Sequence, residues 1–112
     1  MTLLDYAALR QQVSLRQILA LLAYQPTHRR GSQWRGPCLL ARHAEHADAA
    51  RCFCVQVDRH LFYCFVCRRG GNQLDLWAAI HHLTLPAAAL DLWQRMGLEP
   101  VLLSNTQPPN RS

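Results

Sequence analysis

Two cysteines spaced like a metal-binding knuckle are the strongest chemical feature of this sequence. Cys64 and Cys67 form a C-x2-C pair. Two thiolates at this spacing can bind one ion, and Zn²⁺ takes four such ligands in a tetrahedron. Cys38, which follows the turn-forming Gly36-Pro37, and His43 would complete a Cys3His set. The pattern therefore predicts one zinc ion held by Cys38, His43, Cys64 and Cys67.

Other uses of these side chains stay open. His46 lies three residues after His43 and could replace it as the fourth ligand. Cys52 and Cys54 flank a phenylalanine on a predicted strand and are interpreted as core or sheet-face residues on one side, although either could be a ligand. A C-x2-C pair can also be a redox pair, but the βαβ pattern that usually accompanies one is absent. Finally, all five cysteines could be buried apolar side chains.

Length and charge limit the classes of protein to consider. At 112 residues the chain is about one domain long, and folds this small often need a metal to be stable. The formal charge is +5, and every basic residue except the histidines is arginine. Guanidinium groups bind phosphate bidentately and stack on bases. The charge therefore predicts salt-sensitive attraction to nucleic acid.

The sequence shows no sign of export or of a membrane span. No basic region leads into an apolar stretch at the N-terminus. No window approaches the roughly 18 apolar residues of a membrane helix. We therefore expect a cytoplasmic protein with no membrane partner. Because the cytoplasm keeps thiols reduced, cysteines there are more often metal ligands than members of disulfides.

Local patterns predict helices at both ends of the chain. Thr2 and Asp5 resemble a capping box for a helix that runs to about Gln12, and Ser14 and Gln17 repeat that pattern. Residues 72–81 and 84–96 carry apolar stripes at helical spacing, with Asn72 and Thr84 as N-caps. Trp77 and Trp93 lie on the apolar faces of these helices.

The middle of the chain predicts a β-hairpin. Residues 53–57 and 61–65 alternate as strands do, with a turn between them. Residues 34–38 form a short strand, residues 29–33 a polar turn, and Gly70-Gly71 ends the strand pattern. We expect an α+β fold, with a small zinc-ribbon-like antiparallel sheet and a zinc knuckle flanked by N- and C-terminal helices. Residues 1–100 would form this domain, and residues 101–112 a disordered polar tail.

These motifs together resemble the CHC2-type zinc-binding domain of DnaG-like bacterial DNA primases. That family has a Cys-Pro-x-His knuckle, a Ser-Phe-x-Val strand, a Tyr-x-Cys-Phe-x-Cys knuckle and a Gly-Gly helix start. Residues 36–43, 53–55, 63–67 and 70–76 are similar to these segments in turn. The first knuckle is longer here, C-x4-H rather than C-x2-H. Cys52 stands at the family's serine position, and Arg68-Arg69 stands where the family has glycine.

The resemblance implies a part in DNA replication. In such primases the zinc domain helps to bind template DNA and to choose the start site, while a separate acidic domain synthesises the primer. We expect a zinc-dependent DNA-binding module that is not an enzyme alone. Its partners would be single-stranded template and a separate primase catalytic or helicase protein. The alternative is a zinc-ribbon protein-interaction module that has lost DNA binding.

Contacts with DNA are expected from the hairpin and the knuckle. Exposed aromatic rings on the second strand can stack on bases. Alternation places Phe62 on the opposite face from Tyr63 and Phe65, and Trp34 and Arg35 could extend the same surface. Arginines around the hairpin can bind phosphates. The predicted DNA-binding residues are Arg51, Arg59, Tyr63, Arg68 and Arg69.

Overall fold

The computed structural model describes residues 3–40 and 51–103 of the chain. They form four helices and a five-stranded antiparallel sheet in which the strands follow one another in chain order. The α+β architecture predicted from the sequence is confirmed. Its elements are α1 (Tyr6–Gln12), α2 (Leu15–Leu21), β1 (His28–Arg30), β2 (Gln33–Gly36), β3 (Phe53–Gln56), β4 (Leu61–Cys64), β5 (Arg69–Asn72), α3 (Gln73–His81) and α4 (Leu85–Arg95).

The sheet has one covered and one open face. Opposed residues in an antiparallel ladder share a face, and the two faces alternate along each strand. Trp34, Val55 and Phe62 are paired across β2, β3 and β4, and all three belong to or pack against the apolar core. The next row, Arg35, Cys54 and Tyr63, therefore faces away from the helices. This outer surface is called the open face below.

The apolar core lies between the covered face and the helices. Trp77 and Trp93 are almost completely buried, as their positions on apolar helical stripes predicted. Other fully enclosed side chains come from α1, α2, β3, α3 and α4: Leu9, Leu15, Ile18, Phe53, Val55, Leu76 and Leu92. Both ends of the chain thus contribute side chains to one core, and the N-terminal and C-terminal helices pack on the same face of the sheet.

Capping side chains define where the helices begin. The predicted box at Ser14 and Gln17 is present, with Ser14 Oγ accepting from the Gln17 N–H at 3.1 Å. Asn72 and Asp75 form a second box at the start of α3. The proposed box of Thr2 and Asp5 is wrong. Asp5 is itself the N-cap of α1 and accepts from the Ala8 N–H, because Leu4 is extended and paired with Leu102.

Two edge strands were not predicted. β1 overlaps the segment interpreted as a polar turn, and β5 contains the Gly70-Gly71 pair that was expected to end the strand pattern. Neither has an apolar alternation, because β1 is fully exposed and β5 carries two glycines. Gly70 is required where it lies, since a Cβ there would come within 2.7 Å of both the Phe62 carbonyl oxygen and the Tyr63 ring. Both strands form because a neighbouring strand offers free N–H and C=O groups.

The described fold continues past residue 100. The Asp5 N–H donates to the Val101 carbonyl at 2.8 Å, and the Leu103 N–H donates to the Leu3 carbonyl at 2.7 Å. These bonds tie residues 101–103 to the segment before α1, within the range assigned to the tail. The rest of that predicted tail, residues 104–112, lies outside the described residues. Within the described ranges, no helix has the length and apolar character needed to cross a membrane.

Candidate metal centre

Three cysteine sulfurs meet at one end of the sheet. The Sγ atoms of Cys38, Cys64 and Cys67 all lie within 4.8 Å of one another, and those of Cys38 and Cys67 are 3.6 Å apart. In a tetrahedral site with Zn–S bonds of about 2.3 Å, neighbouring sulfurs are about 3.8 Å apart. The spacing of the three sulfurs therefore fits one zinc ion.

The sheet register brings these cysteines together. Cys64 is the last residue of β4, and Cys67 lies in the turn between β4 and β5. The turn is closed by a 2.7 Å hydrogen bond from the Arg68 N–H to the Cys64 carbonyl. Cys38 follows the end of β2, which is separated from β4 by β3. A metal here therefore joins two loops that are 26 residues apart in sequence, from 38 to 64.

Backbone N–H groups point at two of the sulfurs. The Cys67 N–H donates to Cys64 Sγ at 3.3 Å, and the Leu40 N–H donates to Cys38 Sγ at 3.3 Å. Such bonds stabilise the thiolate that a metal needs and orient it. The loop after β2 supplies one of these N–H groups, that of Leu40. It does so although the predicted Cys38-x4-His43 spacing is two residues longer than the C-x2-H spacing of the primase zinc domains.

The thiols of the cluster differ in how readily they ionise. Burial opposes ionisation of Cys64, but hydrogen bonds from the backbone N–H groups of Cys67 and Val66 outweigh it, so the pKa of Cys64 is lowered. Burial, followed by hydrogen bonding to Cys38 and Cys64, raises the pKa of Cys67 to about 12. Without a metal, Cys64 therefore ionises more readily than Cys67, whose raised pKa keeps it protonated at neutral pH.

Four residues are candidates for the fourth ligand, and the structure describes two of them, Cys52 and Cys54. His43 and His46 lie in residues 41–50, outside the described residues. Cys52 is 1% exposed and lies beside the cluster, where burial and a hydrogen bond with Cys64 raise its pKa to about 11. Cys54 Sγ instead accepts from Gln33 Nε2 at 3.4 Å on the open face. The two cysteines therefore have different neighbours.

Two aromatic rings lie on the open face near the cluster. Tyr63 is 40% exposed and Phe65 is 56% exposed, with ring centroids 5.1 Å apart, whereas Phe62 is buried. The predicted separation of Phe62 from the other two rings is confirmed. Arg35 joins this group, because its guanidinium carbon lies 5.2 Å from the Phe65 ring centroid and its Nε donates to the Arg51 carbonyl at 3.1 Å.

The remaining predicted DNA-binding arginines are spread around the sheet. Arg59 lies in the turn between β3 and β4, at the end of the hairpin opposite the knuckle. Arg68 lies in the knuckle with a positive φ of 58°, and Arg69 lines a pocket beside α3 together with Asp75 and His82. Arg51 and Tyr63 are thus the members of the predicted set that lie towards the Arg35–Phe65 contact. Arg30, whose strand was missed, was not among the predicted residues.

Comparisons with known proteins agree with these motifs. Residues 3–107 match the family described as CHC2 zinc finger. The chain is 32% identical over 76 residues to a DNA primase of Treponema pallidum (strain Nichols), a match that covers 68% of this chain and 12% of that protein. The crystal structure of the Aquifex aeolicus primase, comprising zinc-binding and RNA polymerase domains, superposes with a TM-score of 0.64 at 25% identity. That match covers 83% of this chain and 21% of the other.

The two relatives are much longer than this chain, so the shared part is one module of each. The matched region includes the three-sulfur cluster, the sheet that positions it and the helices that follow. Sequence pattern, fold and metal-site chemistry thus agree, and zinc is the metal that the site fits. The chain belongs to the CHC2 zinc finger family of DnaG-type primases.

Proposed function

We propose that this chain is a zinc-dependent module that binds single-stranded template DNA during primer initiation. The observation that carries the proposal is the open face, where exposed Tyr63 and Phe65 adjoin Arg35 and Arg51 next to the metal site. The names of the relatives support a role in priming. Because the chain spans 12% of one relative and 21% of the other, we assign it no activity of the whole primase.

Cys38, Cys64, Cys67 and His43 form the proposed ligand set, with His46 and Cys52 as alternatives to His43. The three-sulfur cluster supports the cysteines, and the family supports a histidine as the fourth ligand. The bound ion would supply a cross-link between the loop after β2 and the β4–β5 turn. That cross-link would hold the adjacent aromatic rings in place for DNA.

Zinc affinity is expected to rise with pH. The raised pKa of Cys67, about 12, means that this thiol must lose its proton when the metal binds. Each released proton makes the affinity rise about tenfold per pH unit, so we expect at least about tenfold between pH 6 and pH 7. Competition titration with a chromophoric chelator of known pH dependence would measure this. A pH-independent affinity would show that Cys67 is not a ligand.

Several of the described carboxylates have structural roles. Asp5 and Asp75 cap helices, and Asp91 accepts from Trp77 Nε1 at 2.7 Å and Arg95 Nε at 2.9 Å. Three carboxylates are thus used in structure, and no described group of acidic residues is arranged to hold a metal. We propose that primer synthesis needs a separate catalytic protein, that a helicase is a further candidate partner, and that the chain acts in the cytoplasm.

Truncating the exposed rings is expected to weaken DNA binding without unfolding the domain. Stacking of a base on an aromatic ring contributes about 1–3 kcal/mol. Tyr63→Ala and Phe65→Ala should therefore each lower affinity for a short single-stranded oligonucleotide roughly 5- to 150-fold. Fluorescence anisotropy with zinc-loaded protein at low salt would measure the change, and bound zinc should stay constant.

Leu90→Ala is the matched control. Leu90 is a similarly exposed apolar side chain, 46% exposed, but it lies on α4 in the helical layer and not on the open face. It should bind like the wild type. If the wild type shows no salt-dependent affinity for single-stranded DNA, the protein-interaction alternative is favoured. If it binds but both ring variants bind equally well, the open face is not the DNA site.

A further inference from the structure

We propose that a basic pocket at the β1–β2 edge is a phosphate subsite for the backbone of the same single strand. The inference rests on the proposed function and adds His28, Arg30 and Gln33, which the sequence did not single out. The pocket has a volume of about 370 Å³. It is lined by His28, Arg29, Arg30, Gln33, Arg35 and Arg51.

The lining is cationic. Four of the six lining residues are arginines, and no carboxylate is among the lining residues of the described chain. The salt bridge found within the described ranges, between Arg95 and Asp91, lies on α4. Guanidinium groups collected without an acidic partner repel one another and are stabilised by a bound anion. The pocket therefore favours a ligand with more than one negative charge.

One of these arginines is held by an aromatic ring. The guanidinium carbon of Arg35 lies 5.2 Å from the Phe65 ring centroid. The guanidinium of Arg29 lies instead over Trp34 on the covered face, 4.4 Å from that ring centroid. The Nε of Arg35 is also fixed by the Arg51 carbonyl. Side chains that are already ordered lose less entropy when a ligand binds. Among residues 3–40 and 51–103, no hydrogen bond from the Nη groups of Arg35 is found, so these groups can donate to phosphate oxygens.

The register connects the pocket to the aromatic rings. His28 is paired with Arg35, Arg35 with Cys54, and Cys54 with Tyr63, so one row crosses the open face from β1 to β4. Arg35 and Tyr63 lie two strand spacings apart, about 10 Å. The same arginine touches the Phe65 ring and lines the pocket. A single strand with bases on the rings can therefore place neighbouring phosphates in the pocket, a combination that an acidic peptide lacks.

The test uses the zinc-loaded full chain and a fluorescent oligodeoxythymidylate in a salt series. Arg30→Gln and Arg35→Gln should each lower affinity roughly tenfold at low salt, because a charge-assisted contact is lost. The slope of log affinity against log salt should fall by about 0.7 for each lost phosphate contact. Arg35→Lys keeps the charge and should keep most of the slope. Arg95→Gln removes the same charge from α4 and should change neither quantity.

Inorganic tripolyphosphate separates a backbone site from a site for a free polyphosphate. It should compete with the oligonucleotide for the wild type and compete less well for Arg30→Gln. Unchanged slopes in both glutamine variants, with wild-type binding intact, would overturn the subsite and leave the proposed function standing. Tripolyphosphate binding that leaves the oligonucleotide bound would also overturn it. A wild type that does not bind the oligonucleotide would overturn both.

Discussion

Replacing Cys64 by serine is expected to abolish stoichiometric zinc binding and to unfold the domain at room temperature. Cys64 is completely buried and belongs to the three-sulfur cluster. Structural zinc contributes about 10–16 kcal/mol in zinc-finger peptides, whereas whole small domains are stable by about 5–15 kcal/mol. Losing the metal should therefore remove most of the net stability.

Zinc per chain from elemental analysis, together with thermal unfolding followed by circular dichroism, would measure both effects. Cys54→Ser is the matched control, since Cys54 is also buried but lies outside the cluster and contacts Gln33. It should keep one zinc and a cooperative transition. A Cys64→Ser protein that retained its zinc and its melting temperature would contradict the proposed site.

The same assay identifies the fourth ligand. If His43→Ala loses zinc, His43 is the ligand that the sequence predicted. If His43→Ala keeps it, His46→Ala and Cys52→Ser become the deciding variants, because Cys52 lies beside Cys64. Cobalt substitution provides an independent reading, since the thiolate charge-transfer band scales with the number of sulfur ligands.

Replacing Trp93 by alanine is expected to lower the free energy of unfolding by about 3–5 kcal/mol in the zinc-loaded protein. Trp93 has no exposed surface, and its Nε1 donates to Gln12 Oε1 at 2.8 Å. The residue thus links α4 to the end of α1, and its removal leaves a large cavity at that junction. Urea denaturation with zinc in excess would measure the change.

Trp93→Phe separates packing from hydrogen bonding. Phenylalanine keeps most of the apolar contact but cannot donate to Gln12, so the cost should fall to about 1–2 kcal/mol. Zinc stoichiometry should be unchanged in both variants, because Trp93 is not among the cluster residues. A loss below about 1 kcal/mol for Trp93→Ala would show that the helical layer contributes little to stability.

Much of the site could be predicted from short-range sequence patterns. The knuckle between β4 and β5 needs only four consecutive residues to place two sulfurs, so Cys64-x2-Cys67 is visible without a structure. The hairpin of β3 and β4 follows from alternation around a turn. That alternation also separates the exposed Tyr63 and Phe65 from the buried Phe62. The capping boxes at Ser14 and Asn72 are equally local.

The edges of the sheet, in contrast, depend on neighbours that local patterns do not reveal. β1 is exposed throughout and β5 contains Gly70 and Gly71, so neither has an apolar period. Each forms by completing the hydrogen bonds of the adjacent strand. Because β1 was not predicted, the basic pocket that contains Arg30 was not predicted either.

The sequence by itself determined the C-x2-C knuckle, the separate motifs of the CHC2 zinc finger family and the alternation of the hairpin, because each motif depends on residues a few positions apart. Only the tertiary structure decided which distant side chains meet. The ladder from β2 through β3 to β4 brings Cys38 to Cys64 and Cys67. The same ladder places Arg35 against Phe65 and leaves Arg59 at the far end of the hairpin. Strand register is a long-range property, set by which face the core buries.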